Sequence, residues 1–340
     1  MQFLVIFLFV GLRDETGTDW MHYKYYYDHD IYPRMELGYV LLSKMSNKIE
    51  NDYSSFVIMH AIIYLSILFI AIRKQSRIGV ILLLFYSGHL LGWMGSNRQI
   101  IAVMICLYAG EKLYYGKKIQ FFSIVTVASF FHVSAIVFAF MYFINKYFRY
   151  LKVKAYVSVL FACVILNYIL TTSDLLSEIS SILYLLYNKD SKLYDQLYIY
   201  SLDQFRPDII TSYLMLLKRL LIIIFIIFSL KIFGNNSLSS ILNYQSQGKV
   251  HTKTQEQNNK IKYYFTTYYL SIIILLIVNP IFPILATRGG GYFYMYEILL
   301  FSAISVNFKT KSYLVFLIFF IVFCLGRLSI ELQKESELLL

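Results

Sequence analysis

The sequence is poor in cysteine, in proline and in charge. Only 3 of its 340 residues are cysteine, 4 are proline and 15% are charged, whereas a typical soluble domain carries about 25% charged residues. The cysteines lie in apolar runs without CxxC or Cys/His spacing, so neither a disulfide framework nor a metal site is expected. Glycine-rich nucleotide-binding, P-loop and HExxH motifs are also missing from the sequence. We therefore expect no cofactor, no metal and no nucleic-acid partner.

Apolar residues, by contrast, make up 58% of the chain and are gathered in long runs. A helix needs roughly 20 mostly apolar residues to cross a bilayer core. Because backbone groups inside lipid must bond to one another, runs of this length favour helices over barrel strands. The runs lie at about residues 2–12, 54–72, 78–94, 98–115, 119–144, 153–172, 211–233, 263–286, 292–308 and 312–330. The sequence predicts an all-α fold, a polytopic integral membrane helical bundle of about ten segments in a single transmembrane domain, 1–340.

The distribution of charge predicts which loops face the cytoplasm, since short cytoplasmic loops are enriched in lysine and arginine. The basic stretches are residues 73–77, 112–118, 146–154, 231–262 and 309–311. Acidic residues are instead concentrated in 13–53 and 173–210. We therefore predict outer loops at 13–53 and 173–210 and a cytoplasmic loop at 234–262.

This topology alternates correctly only if residues 119–144 enter and leave the membrane on the cytoplasmic side, because both flanks are basic. The segment is therefore predicted to be a re-entrant hairpin with its apex near Phe131, His132 and Ser134. The alternative is one long helix, which would invert the topology of everything that follows.

Several polar residues lie where the apolar runs meet the outer surface. The first run, 2–12, is short for a crossing helix and is expected to be partial or to continue upstream of Met1. Arg13 and Asp19 follow it. Arg98 and Gln99 come directly after a natural N-cap, Ser96 or Asn97, so they are predicted to lie in the first turn of a helix, where backbone N–H groups favour a phosphate. The alternative for Arg98 is an interfacial anchor that reaches to lipid headgroups.

Two ionisable residues lie within apolar runs, where they are costly and by default functional candidates. His132 could take a proton from an attacking hydroxyl at neutral pH, or it could brace the hairpin by bonding to a neighbouring backbone group or to Ser134. Glu297 could pair with an arginine, or it could be protonated and structural. Nearby, residues 287–291 contain three consecutive glycines, which predict a turn that presents Arg288.

Cations are predicted to converge on the outer leaflet, where orientation statistics place few of them. They are Arg13, Arg98, Arg206, Lys218, Arg219, Arg288 and Arg327. Such a cluster indicates an anionic ligand, or else separate anchoring of each residue to headgroups. The tyrosine-rich outer segments could stack on sugars or form an interfacial belt.

At these positions the chain resembles the EpsG family of multi-pass membrane proteins, which overlaps with Wzy-type O-antigen and capsule polymerases. The matching stretches are FVGLRDETGTDWMHY, RMELGYVLL, SNRQIIAVMI, ASFFHVSAIV and TRGGGYFYMYEIL, in that order. The pairing of RQ with FHVSA is the most specific. The resemblance leaves a GT-C-like arrangement open.

The resemblance implies a polymerase that joins undecaprenyl-diphosphate-linked oligosaccharide repeat units on the outer face of the bacterial cytoplasmic membrane, with a chain-length regulator as a further partner. We assign the diphosphate or sugar contacts to Arg13, Arg98, Gln99, Arg206 and Arg288, with Arg98 and Arg288 as the main ligands. His132 is the first candidate for the base, followed by Glu36 and Asp19. A ligase or other membrane glycosyltransferase, a lipid-carrier transporter and an O-acyltransferase remain alternative functions.

Overall fold

The structure is a computed structural model of the 340-residue chain. It describes residues 2–17, 19–32, 35–75, 77–85, 89, 97–148, 152–172, 209–233, 238–243, 253–280 and 282–338. In these ranges the chain is built from helices and the turns between them.

Most of the helices follow the apolar runs of the sequence. In chain order they are α1 (Gln2–Gly11), α2 (Trp20–Asp28), α3 (Leu37–Ile49), α4 (Tyr53–Ile72), α5 (Ile78–Phe85), α6 (Asn97–Tyr114), α7 (Lys118–Ser129), a 3-10 helix (Val133–Phe140), α8 (Met141–Phe148), α9 (Val153–Thr172), α10 (Ile209–Phe233), α11 (Leu238–Asn243), α12 (Lys253–Val278), α13 (Pro283–Tyr294), α14 (Tyr296–Ser305) and α15 (Thr310–Leu338). The predicted outer loop 13–53 thus contains two helices, α2 and α3, and the predicted cytoplasmic loop 234–262 contains α11 and the start of α12.

Five helices are long and apolar enough to cross a membrane. These segments are Tyr53–Ile72, Val153–Thr171, Tyr213–Ile232, Gln255–Val278 and Thr310–Ser329. The all-helical membrane class predicted from the sequence is therefore confirmed. The count of ten segments and a GT-C-like arrangement stay predictions.

The chain forms two compact units. The first comprises residues 1–143, 233–235 and 295–340, and the second comprises 144–232 and 236–294. In the first unit α6 is the central helix, because most of its side chains are buried and it packs against α4 and α7. In the second unit α12 packs along α13.

The hairpin predicted at 119–144 is observed as a turn of the chain on itself. Helix α7 ends at Ser129, and the 3-10 helix begins at Val133. Lys118 Nζ lies 5.3 Å from the centre of the Tyr142 ring, and the rings of Phe122 and Tyr142 are also 5.3 Å apart. Residues from the two ends of the segment are therefore neighbours, and the chain turns at 130–132. The turn includes Phe131 and His132 of the predicted apex, whereas Ser134 lies in the 3-10 helix, and entry of the hairpin into the membrane stays a prediction.

The predicted turn at 287–291 is wrong. These residues lie inside helix α13, and the glycines at 289–291 are buried. Glycine lowers helix stability by about 1 kcal/mol per residue relative to alanine, but packing against α12 outweighs that preference. A Cβ at Gly290 would lie 3.5 Å from Arg219 Nη1, so this face of α13 adjoins a buried guanidinium.

Candidate functional site

Arg98 lies in the first turn of α6, as predicted, and two neighbours fix its guanidinium. Nη1 forms an ion pair with Glu36 Oε2, and Nε donates a hydrogen bond to Tyr23 Oη at 3.1 Å. The side chains of Arg98 and Glu36 keep 22% and 17% of their surface exposed. Arginine carries five N–H donors, and the described part of the chain offers no hydrogen-bond acceptor to Nη2. Nε and Nη1 are thus engaged, whereas Nη2 is available to a ligand.

Glu36 connects Arg98 to the apex of the hairpin. Its Oε1 accepts a hydrogen bond from the Val133 backbone N–H at 3.3 Å. Two residues later, Gly38 donates its backbone N–H to the Phe130 carbonyl at 2.7 Å. A Cβ on Gly38 would lie 2.8 Å from that carbonyl oxygen, closer than packed atoms approach. The RMELGY and FFHVSA motifs are therefore joined by one bond from the backbone to a side chain and one between two backbone groups.

His132 is the N-cap of the 3-10 helix and is 7% exposed. Its Nδ1 accepts the Ser134 backbone N–H at 3.3 Å and lies 2.7 Å from Ser134 Oγ. The bracing contact considered in the sequence analysis is therefore present. Because Nδ1 accepts a hydrogen bond, the neutral ring carries its proton on Nε2.

Asp19 lies directly before α2, and its backbone carbonyl accepts the Tyr23 N–H at 3.0 Å. Within the described ranges no hydrogen bond or ion pair of the Asp19 carboxylate is found, and the residue is half-buried. Burial raises the pKa of the Tyr23 phenol, the Arg98 charge opposes that shift, and the charges of Asp19 and Glu36 add to it. Tyr23 therefore remains a neutral phenol among these three charged groups.

Arg13 contacts Asn97 and Trp20. Its Nη2 donates to Asn97 Oδ1 at 2.7 Å, and its Cζ lies 5.7 Å from the centre of the Trp20 ring. Desolvation lowers the pKa of Arg13 below its ordinary value, against the raising effect of Tyr64 and Tyr53. Gln99, predicted as a substrate ligand, is 6% exposed and so lies inside the first unit.

Two of the cations predicted to face the outer leaflet are internal. Arg327 pairs with Glu297 in the first unit. This is the pairing with an arginine that the sequence analysis considered for Glu297. His89 Nε2 lies 3.6 Å from the same carboxylate. In the second unit Arg219 donates to the Ser271 carbonyl. Both arginines are less than one-tenth exposed, so they do not belong to a surface anion site.

Arg288 lies half-buried in helix α13 of the second unit, as does Lys218 in helix α10. Arg206 lies outside the described residues.

Sequence reasoning missed Tyr23, Asn97 and Gly38 as parts of the site. A signal for Tyr23 was present, because Trp20, Tyr23 and Tyr27 recur at helical spacing and form the buried face of α2. Nothing in the spacing of Glu36 and Gly38 reveals that they contact a hairpin about 95 residues away, since that contact is tertiary.

Comparison with known proteins agrees with the resemblance seen in the motifs. The sequence model of the EpsG family matches residues 1–337, a range that includes all five motif stretches. Comparisons with curated proteins and with solved structures give no match. The chain belongs to the EpsG family, a Wzy-type polymerase-like family.

Proposed function

We propose that this protein polymerises a surface polysaccharide, joining undecaprenyl-diphosphate-linked repeat units on the outer face of the cytoplasmic membrane. The observation that carries the proposal is the Arg98 guanidinium, which Tyr23 and Glu36 hold through Nε and Nη1 while Nη2 stays available. The fork geometry of arginine suits bidentate contact with phosphate oxygens.

The reaction is a glycosyl transfer. A hydroxyl oxygen at the non-reducing end of one lipid-linked unit forms a bond to the anomeric carbon of the growing chain. The bond between that carbon and the diphosphate oxygen breaks, and the electron pair leaves with the diphosphate. Arg98 stabilises this growing negative charge, an electrostatic contribution that side-chain donors can supply without a metal.

The hydroxyl proton requires an acceptor, and the geometry favours Asp19 among the three predicted bases. One carboxylate oxygen of Glu36 pairs with Arg98, and the other accepts the Val133 backbone N–H. His132 Nδ1 accepts the Ser134 backbone N–H and lies near its hydroxyl. Asp19 makes no such contact within the described ranges, and its charge acts on the same Tyr23 hydroxyl as Arg98 does. We therefore assign the base to Asp19 and the bracing of the hairpin to His132. The roles of Arg206, Arg288 and Gln99 stay predictions.

Substitution of Arg98 tests the proposal. We expect Arg98→Ala to lower polymerisation by about 10²- to 10³-fold, the usual effect of removing one donor to a developing anion. Arg98→Lys should recover only part, because an ammonium is a point charge without the planar fork. The assay uses purified protein in nanodiscs with undecaprenyl-diphosphate-linked repeats and measures the ladder of chain lengths.

Lys44→Gln is the matched control, because it removes one exposed positive charge from α3 and should leave the ladder unchanged. A full ladder from Arg98→Ala protein would reduce Arg98 to an interfacial anchor. Transfer of finished chains to a different acceptor, without any ladder, would identify a ligase instead.

A further inference from the structure

Three side chains contact Asn97, the residue that precedes Arg98. Arg13 Nη2 donates to Asn97 Oδ1 at 2.7 Å. Asn97 Nδ2 donates to Tyr53 Oη at 3.1 Å, and His60 Nε2 donates to the Asn97 backbone carbonyl at 2.6 Å. Both ends of the Asn97 amide and its carbonyl are therefore engaged, and the residue is only 2% exposed.

The three partners come from elements that pack against each other. Tyr53 and His60 lie in α4, and Arg13 follows α1 directly. The Trp20 ring lies under the Arg13 guanidinium and meets the Tyr53 ring edge-on at 4.9 Å. Movement of Asn97 would break hydrogen bonds to α4 and to the end of α1 together.

We propose that Arg13 is a positioning residue. Together with Tyr53 and His60, it holds Asn97 in place and so sets the direction in which the Arg98 side chain leaves the first turn of α6. The inference rests on the proposed role of Arg98 as the diphosphate ligand. It replaces the prediction that Arg13 itself binds the diphosphate. Arg13 donates Nη2 to Asn97, and its Nε is buried without an acceptor in the described part of the chain, so neither atom is available to a diphosphate.

Hydrogen exchange tests this arrangement independently of any ligand. Arg13→Gln and Asn97→Ala should each raise amide exchange at residues 97–101 and leave α12 unchanged. Tyr53→Phe removes a single hydroxyl from the cluster and should raise exchange at the same residues by a smaller factor, even if the stronger variants fold poorly. Lys44→Gln serves again as the control. Exchange at 97–101 equal to wild type in all three variants would overturn the proposal.

Binding of farnesyl diphosphate, a short polyprenyl diphosphate, separates positioning from direct contact. Arg98→Ala should weaken binding about 10- to 100-fold, as expected for hydrogen bonds to a charged group. Arg13→Gln should also weaken it, but should add nothing in the Arg98→Ala background, because it acts through Arg98. Additive losses would make Arg13 a ligand and overturn the proposal. If wild-type protein bound no diphosphate, the proposed function would fail, whereas the exchange experiment would still decide the role of Arg13.

Discussion

Both carboxylate oxygens of Glu36 are engaged, one with the Arg98 guanidinium and the other with the Val133 backbone N–H. These contacts argue against the prediction that Glu36 is the base. A carboxylate held in this way stabilises Arg98 and the hairpin apex, and accepting a proton would weaken the ion pair. We therefore propose that Glu36 supports the site.

The proposed roles of Asp19 as the base and of His132 as the brace of the hairpin give a prediction for single residues. Asp19→Asn should lower polymerisation by about 10²- to 10⁴-fold, the usual contribution of a general base. His132→Asn should retain most activity, because an asparagine oxygen can also accept the backbone N–H at the start of a helix. The measurement is the chain-length ladder from both purified variants at equal protein concentration.

Diphosphate binding by the same two proteins provides the control, since neither substitution removes an Arg98 donor. Loss of polymerisation in His132→Asn with normal binding, together with an active Asp19→Asn, would return the role of base to His132.

The elements show which features of a membrane sequence can be predicted and which cannot. The predicted runs at 54–72 and 153–172 agree within one residue with α4 and α9, because the apolar length needed to cross a bilayer fixes their extent. The run at 98–115 agrees equally well with α6. The reversal of the chain near residue 131 was also predicted from local information, the basic residues on both flanks. The turn predicted from the glycines at 289–291 was wrong for the opposite reason. Burial against another helix outweighed the local preference of glycine for a turn.

The close approach of α3 to the hairpin gives a prediction for these elements. Gly38→Ala should destabilise the first unit, because its Cβ would lie 2.8 Å from the Phe130 carbonyl oxygen, and overpacking of this kind costs about 1–3 kcal/mol. Activity should fall as well, since the same contact adjoins Glu36 and His132. Thermal unfolding in detergent and the polymerisation ladder measure the two effects.

Gly326→Ala is the matched control for that substitution. Gly326 lies within α15, and no atom lies within 4 Å of its added Cβ, so this alanine should leave stability unchanged or raise it by up to about 1 kcal/mol. Equal melting temperatures for Gly38→Ala and wild type would show that α3 and the hairpin do not need this close contact.

At the scale of the whole molecule, the sequence predicted a membrane protein, but it did not predict which polar groups pair inside it. Glu297 and Arg327 are 30 residues apart and both nearly inaccessible. Composition shows only that each is expensive in an apolar segment. Their pairing depends on the packing of α14 and α15, as the bond from Arg13 to Asn97 depends on the packing of α1, α4 and α6.

The topology follows from the same principles and gives the last prediction. If the hairpin re-enters the membrane, Lys117 and Lys152 on its two flanks face the cytoplasm, whereas Lys48 in α3 faces outward. All three are exposed, and the native cysteines Cys106, Cys163 and Cys324 are buried, so single cysteine substitutions can be labelled over a low background. An impermeant maleimide should label Lys48→Cys in intact cells, and should label Lys117→Cys and Lys152→Cys only after permeabilisation. Labelling of just one of the two flanking positions in intact cells would mean that 119–144 crosses the membrane once. Every later loop would then exchange sides, and the basic residues at 231–262 would face outward against the usual charge bias.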